Sequence, residues 1–431
     1  MTSKPQVLIV GAGLAGLACA LNLHQAGISF HILEASDSAG GRVKTDEVEG
    51  FLLDRGFQVL LTAYPEAKSL LDYRALSLGQ LYSGALVRVS DRFHLVADPF
   101  RHPADSLLNL LSPIGTCADK LRVARLRQRV LAGKVDDIFT RPERKTIDAL
   151  KSDGFSDSII DTFFRPFLGG VFLDPDLYTT SRMFEFVFRM FSLGHATLPG
   201  NGMRAIPEQI LSMLPSGSVS FNKTVKTVDG TTLMLASGER LTADAVVLAT
   251  DVKAEATLLG TRPPETCSVA CVYFAADQPP VNEPVLVLNG NREGPVNNLC
   301  VPSLVASSYA PAGAALISAT VLRPGRYRSA PIEVVVRKQL KSWFDSPVMK
   351  WQHLKTYWIE NALPRQLSLS LAGGQASAGV RPGLYRCGDH TDTASINGAI
   401  RSGRKAARAI AGDLLVVRGE RPAPVTSARA S

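Results

Sequence analysis

Gln6-Val-Leu-Ile-Val10-Gly11-Ala-Gly13-Leu-Ala15-Gly16-Leu-Ala-Cys-Ala-Leu-Asn-Leu-His-Gln-Ala26-Gly27 opens the chain, and its pattern changes twice. Gln6 to Val10 is a short apolar run of β character. Three glycines follow at positions 11, 13 and 16. An apolar run to about Ala26 then reads as a helix, which Gly27 ends, and Ile28 to Leu33 reads as a second strand. Strand, glycine turn, helix and strand make a βαβ unit. Gly11 allows the tight turn, Gly13 lets a pyrophosphate approach the backbone, and Gly16 permits close helix packing. The helix start, with Ala15 in its first turn, directs free N–H groups and a positive dipole end at phosphates.

The glycine spacing alone is weak. With 35 glycines in 431 residues, chance supplies such a match in roughly one chain of four or five. Context strengthens it. Glu34 ends the second strand, 18 residues beyond Gly16, where a carboxylate would hold ribose hydroxyls.

Bulk properties set the frame. A chain of 431 residues buries a sizeable core and is expected to form two domains. Hydrophobic residues at 45% and charged residues at 20% are ordinary for a soluble globular protein. The net charge of +8 permits attraction to anionic surfaces without requiring it. No nucleic-acid motif accompanies it, so nucleic acid is not an expected partner. The six cysteines, at 19, 117, 267, 271, 300 and 387, form no CxxC pair. A disulfide framework and a metal site are therefore not expected, and the cytoplasm is the expected compartment. The apolar run from Val7 to Leu23 is broken by glycines, unlike a signal peptide or spanning helix.

Further along, residues 76–197 read as mostly helical. Val219 to Val228 and Thr231 to Leu235 read as a hairpin around Asp229-Gly230. Ala245 to Ala249 is a buried strand, and strand-like runs return between Cys267 and Thr320. A last β-turn-α unit spans Leu384 to Ala411. The tail, 416–431, is rich in Pro, Ala, Ser and Arg and is expected to be disordered.

After Glu34 comes Ala39-Gly40-Gly41-Arg42. Here the chain resembles the superfamily of flavin-containing amine oxidases, phytoene desaturases and protoporphyrinogen oxidases, closest in motif to the desaturase-like members. Further segments match in family order. Gly50-Phe-Leu-Leu-Asp54-Arg-Gly56-Phe-Gln58 resembles the segment beside the flavin ring. Pro199-Gly-Asn-Gly202-Met203 resembles the turn back into the FAD domain, and the strand around Val225 resembles the one whose backbone meets adenine. Cys387-Gly388-Asp389 and Ser395-Ile396-Asn-Gly398 resemble the C-terminal flavin motif. The resemblance implies non-covalent FAD held by Gly11, Gly13, Ala15, Gly16, Glu34, Gly41, Arg42, Gly56, Val225, Gly388, Asp389 and Ile396. It implies an α/β fold: a Rossmann-type FAD domain (GxGxxG βαβ) from 1–75, 198–262 and 375–415, interleaved with an α+β substrate domain from 76–197 and 263–374.

The departures steer the expected reaction. Amine oxidases of this family place a lysine near flavin N5 and a tyrosine in an aromatic cage. Those positions fall at Ala270 and Ser395. The expected function is thus a desaturase-like hydride transfer from a hydrophobic, carotenoid- or isoprenoid-type substrate. The alternatives are an amine oxidase, a protoporphyrinogen oxidase-like enzyme and a non-catalytic prenyl-binding chaperone of the same fold. Eight phenylalanines between 163 and 191 read equally well as an apolar substrate cavity or an ordinary core. His195 and His390 are acid/base candidates that read more simply as structural, so no catalytic residue is assigned. With no second GxGxxG, the expected electron acceptor is dioxygen, a quinone or another small molecule. Arg122, Arg125 and Arg129 share one face of the segment Lys120–Leu131, with Val123, Leu126 and Val130 on the other. That pattern fits either a solvated helix face or peripheral attachment to an anionic membrane.

Overall fold

The structure, a computed structural model, describes residues 5–108, 113–327, 329–368 and 378–417. The chain divides into two compact units, one of Met1–Gly41, Gln209–Pro263 and Ala376–Ser431, the other of Arg42–Glu208 and Pro264–Gln375. Both combine helix and sheet.

The first unit is built on a six-stranded sheet in the order Val219–Ser220, Phe30–Leu33, Val7–Val10, Ala245–Leu248, Leu384–Arg386, Gly379–Arg381. The first five strands are parallel, in register Val10↔Leu33, Val10↔Leu248 and Leu248↔Arg386. Parallel strands are covered on both faces, which is why Val7–Val10 and Ala245–Leu248 are apolar without alternation and wholly buried. The helix Leu14–Gln25 buries Leu14 through Leu21 and Leu23. The long helix Ile396–Val417 lies against it. A Cβ on Gly403 would fall 2.2 Å from the Ala15 carbonyl oxygen, so this contact is backbone on backbone. A three-stranded antiparallel sheet, Val225–Asp229, Thr232–Leu235 and Arg240–Thr242, packs Val228, Leu233 and Leu235 against Leu8, Val246 and Leu384. The hairpin expected from Val219 therefore starts only at Val225, because Val219–Ser220 pairs with Ile32–Leu33. The final helix runs through residue 417, and the rest of the expected tail lies outside the described residues.

The second unit carries a seven-stranded mixed sheet ordered Gln352–Pro364, Thr266–Ala276, Ala315–Leu322, Val296–Cys300, Leu286–Asn289, Gly84–Val89, Arg92–Ala97. One face is apolar: Ala270, Val272, Phe274, Ile317 and Ala319 pack with Val336 and Leu340 of the helix Ile332–Phe344. Alternation sends Cys271, Tyr273 and Ser318 to the other face. Residues 76–197 are not as helical as expected. Gly84–Val89 and Arg92–Ala97 form a hairpin in this sheet, turning at Ser90 with φ of 54°. Residues 42–75, expected with the FAD domain, fall in this unit. The hairpin Thr45–Val48/Phe51–Asp54 is tied there by Tyr273, Tyr309 and Met203.

The helix Cys117–Leu131 begins with a capping box between Thr116 and Asp119. Leu126 and Val130 are buried, while Arg129 binds Asp153 at 2.6 Å and Glu185 at 3.3 Å, and Arg122 binds Asp119 at 3.3 Å. Two of the three arginines thus already hold the protein's own carboxylates. Phe164, Phe172, Phe184 and Phe186 are buried core, whereas Phe163, Phe167 and Phe191 are half-buried and form a chain with centroids 5.6 and 5.2 Å apart. Among the described residues no helix is long and apolar enough to cross a membrane.

Candidate functional site

The glycines of the first turn do three different things. Gly11 has φ of 107°, and a Cβ there would meet the Ala249 carbonyl oxygen at 2.7 Å. A Cβ on Gly16 would lie 2.1 Å from the Gly11 oxygen. Gly13 has nothing within 4 Å of its would-be Cβ and an ordinary extended backbone, φ −71° and ψ 174°. Its missing side chain serves no packing need, so the space beside it suits a ligand. The helix begins at Leu14 with no side-chain cap on Gly13, which leaves its first N–H groups for an anion.

Glu34 is buried and fixed. One carboxylate oxygen accepts from the Ala12 N–H at 2.7 Å. The other accepts from the Ser36 N–H at 2.9 Å and the Ser36 hydroxyl at 2.7 Å. The carboxylate thus braces the glycine turn as well as standing at the strand end. Gly40 donates to the Ala12 carbonyl at 2.9 Å, and Gly41, with φ of 60°, passes 3.3 Å from the Gly13 Cα as measured from its would-be Cβ. The paired glycines therefore seat a second loop directly on the first. Segment 222–225 runs beside it: Asn222 N–H donates to Ser36 O and Lys223 N–H to Glu34 O, leaving Val225 half-buried.

The C-terminal motif leaves the same sheet edge. Ala249 N–H donates to Val10 O and Cys387 N–H to Leu248 O, so the turns after three adjacent strands lie side by side. Gly388 N–H donates to the Ser402 hydroxyl at 2.9 Å, and Asp389 is buried. The final helix starts at Ile396, where Ser395 Oγ accepts from the Gly398 N–H at 3.0 Å as an N-cap. His390 Nε2 pairs with the buried Glu255 at 2.8 Å.

In the second unit, the Arg42 guanidinium donates to Ala362 O at 2.9 Å, and Gln58 donates to Arg42 O at 3.0 Å. Gly56 has φ of 95°, and a Cβ on it would meet Ile359 at 2.8 Å. Just before it, Asp54 is wholly buried. Its carboxylate accepts from Thr45 Oγ1 at 2.6 Å, the Met203 N–H at 2.9 Å and the Tyr309 hydroxyl at 2.8 Å. Burial pushes its pKa up to about 6, with the hydrogen bonds and Arg204 opposing. Tyr273 and Gly56 N–H both donate to Asp54 O at 2.8 Å. Ala270 lies on the opposite, apolar face of the strand. His195 is half-buried, and burial, Arg101 and His102 lower its pKa, so it is neutral near pH 7.

Sequence reasoning missed the supporting residues: Ser36 under Glu34, Ser402 under Gly388, and Thr45, Tyr273 and Tyr309 around Asp54. Asp54 stood inside a quoted motif, but its tyrosine partners lie 219 and 255 residues away, and nothing local marks them.

Residues 14–411 match the model of the flavin containing amine oxidoreductase family, and the chain belongs to that family. It is 24% identical over 186 residues to protoporphyrinogen oxidase 2 of Arabidopsis thaliana, covering 42% of this chain and 35% of that protein. It is 41% identical over 58 residues to hydroxysqualene dehydroxylase of Rhodopseudomonas palustris, covering 13% and 14%. The chain thus aligns with about a third or less of these curated relatives' lengths. A crystal structure described as a candidate protoporphyrinogen oxidase from Exiguobacterium sp. 255-15 superposes with a TM-score of 0.73. It covers 96% of this chain and all of that one at 20% identity, a likeness of fold. The fold is that of the flavin-dependent oxidoreductases, an α/β architecture.

Proposed function

We propose that the protein is an FAD-dependent oxidoreductase that takes a hydride from a hydrophobic, isoprenoid-type substrate, with FAD bound non-covalently. One observation carries the choice of substrate class. Where amine oxidases of the family place lysine and tyrosine, this chain has the strand Thr266–Ala276, which carries no lysine on either face, and Ser395, whose hydroxyl caps a helix. Neither can activate or cage an amine. The half-buried row Phe163, Phe167 and Phe191 offers an apolar wall instead.

The residues present fit the cofactor. The space beside Gly13, the free helix start at Leu14 and the braced Glu34 suit a dinucleotide's phosphates and ribose. Arg42 would add charge to the pyrophosphate, and Asp389 would face the phosphate–ribityl chain. When bound, the flavin supplies the hydride acceptor at N5. The protein's part is to hold the reacting C–H bond against the ring and exclude water. No titrating side chain is required, which agrees with a neutral His195. Dioxygen, a quinone or another small molecule would take the electrons onward.

A tetrapyrrole substrate is the second reading, favoured by the names of the Arabidopsis and Exiguobacterium proteins. An anionic membrane surface is a further proposed partner, through Lys120–Leu131. The deciding experiment is anaerobic mixing of the purified yellow protein with isoprenoid, tetrapyrrole and amine panels while flavin bleaching is followed. Bleaching by an isoprenoid supports the reading, and rapid bleaching by a simple amine overturns it. A colourless protein that takes up no FAD removes the cofactor assignment altogether.

A further inference from the structure

Behind the Gly388–Asp389 turn lies a buried cluster to which the proposed chemistry gives no task. The helix Val252–Leu259, capped by Asp251, starts where the strand Ala245–Leu248 leaves the sheet and carries Glu255 in its first turn. Glu255 is only 4% exposed. Its two oxygens face His390 Nε2 at 2.8 Å and the Arg386 guanidinium at 3.4 Å. The His390 side chain is 6% exposed. Its ring lies on Gly388 so closely that a Cβ there would sit 2.3 Å from Cε1 and 2.5 Å from Nδ1. His390 Nδ1 is buried without a hydrogen-bond partner, and its nearest carboxylate, Asp389, is 3.9 Å away. Leaving a buried ring nitrogen unpaired is unfavourable, so something else selects this arrangement.

The same turn is held from its other side. Gly388 N–H meets Ser402, and Gly388 O accepts from the Thr391 hydroxyl at 2.9 Å. The ring is the third restraint, and Glu255 fixes the ring. Since Nδ1 is sealed from solvent, His390 does not reach a ligand itself.

We infer that Glu255 and His390 are positioning residues: their hydrogen bond clamps the ring on Gly388 and so sets Asp389 at the sheet edge for the cofactor's phosphate–ribityl chain. This rests on the FAD reading above. The carboxylate–imidazole pair acts as outer partners do at metal sites, where the group behind the ligand fixes the ligand's aim.

The test follows FAD release from diluted holoprotein by the rise in flavin fluorescence. His390→Ala and Glu255→Ala are expected to speed release about tenfold, the equivalent of one lost hydrogen bond's worth of affinity. His390→Gln places an amide N–H where Nε2 was and is expected to restore most of the wild-type rate. His390→Asn cannot reach Glu255 and is expected to resemble His390→Ala. In an Asp389→Ala background, His390→Ala should add less than twofold, because the clamp acts through Asp389. Wild-type release from His390→Ala, a His390→Gln variant as fast as His390→Ala, or an undiminished effect in the Asp389→Ala background would each overturn the inference. Should His390→Ala not fold, the Gln and Asn variants, both polar and similar in size, decide alone. A wild type that holds no FAD defeats the cofactor reading itself, which is a separate result.

Discussion

The hydroxyl of Tyr309 donates to the carboxylate of Asp54 at 2.8 Å in an interior closed to solvent at both residues. Three donors converge on that carboxylate, from Thr45, Met203 and Tyr309. They do not fully offset its desolvation, and its pKa stands near 6 against an ordinary 3.8. The arrangement fixes the end of the strand Phe51–Asp54, immediately before Gly56 and Gln58.

That imbalance gives stability a pH dependence of known sign. A carboxyl whose pKa is raised by folding binds more protons in the native state. Its contribution is fully present below the unfolded value near 4 and is lost as pH rises through about 6. At neutral pH the loss is on the order of 3 kcal/mol. Asp54→Asn keeps the acceptor for Thr45 and Met203 and removes the titration. The wild type should therefore lose stability relative to Asp54→Asn between about pH 4 and 6. Urea unfolding at four pH values measures this, and parallel curves for the two proteins would exclude a raised Asp54.

Glu34 and Arg42 are expected to govern flavin retention. Glu34→Ala removes the acceptor for Ala12 and Ser36 as well as the proposed ribose contact. Each variant should weaken FAD binding by about 1.5–3 kcal/mol, roughly tenfold to a hundredfold. The absorbance ratio at the flavin and protein bands after dilute gel filtration reports it. Normal flavin content in both variants would remove these residues from the cofactor site.

Ser395 should behave as a helix cap and nothing more. Loss of its bond to the Gly398 N–H makes Ser395→Ala about 1 kcal/mol less stable. Simple primary and secondary amines should bleach neither wild type nor variant quickly under anaerobic conditions. If amines bleach the wild type and Ser395→Ala abolishes it, the hydroxyl handles substrate and the desaturase-like reading is lost.

The legible parts of this molecule are those whose causes are local. Val7–Val10, Gly11, Gly13, Gly16 and Glu34 announce a βαβ unit because strand, turn and helix each need particular residues within a few positions. The last β-turn-α unit, Leu384 to Ala411, was legible for the same reason. Gly84 to Ala97 forms a hairpin, yet its apolar residues run together at Ala85–Val87 and Leu95–Ala97 within a region read as helical, so no two-residue period marked it. The placement of residues 42–75, expected with the FAD domain but grouped with the second unit, leaves no mark in the local sequence. It depends on Tyr273 and Tyr309 reaching Asp54, and pairing across such separations leaves no periodic trace. Ala270 shows a subtler limit. The alignment fixed its position along the strand, but only the register with Val321 and Trp358 shows that it faces the apolar side, away from Asp54.

The glycines of the first turn permit a test that separates fold from cofactor. Gly16→Ala would push a methyl group to 2.1 Å from the Gly11 oxygen, and Gly11→Ala would do the same to Ala249 O at 2.7 Å while forcing φ of 107° on a residue with a Cβ. Both clashes are with backbone, which cannot swing aside, so each variant should lose about 1–3 kcal/mol or more. Gly13→Ala differs in every respect. Its backbone, at φ −71° and ψ 174°, suits any residue, and nothing lies within 4 Å of the added methyl. The smaller set of unfolded conformations, worth about 0.4–1 kcal/mol, is offset by the poorer fit of alanine than glycine at this helix N-cap, so the apoprotein of Gly13→Ala should be about as stable as wild type. The methyl group would nonetheless occupy the space through which a pyrophosphate meets the backbone. Thermal unfolding of the apoproteins, set beside FAD titration, should therefore give opposite orders. Gly13→Ala should be the most stable of the three and still bind FAD poorly. A Gly13→Ala protein that binds FAD like wild type would show that no phosphate passes there, and the first loop would be only a packing device.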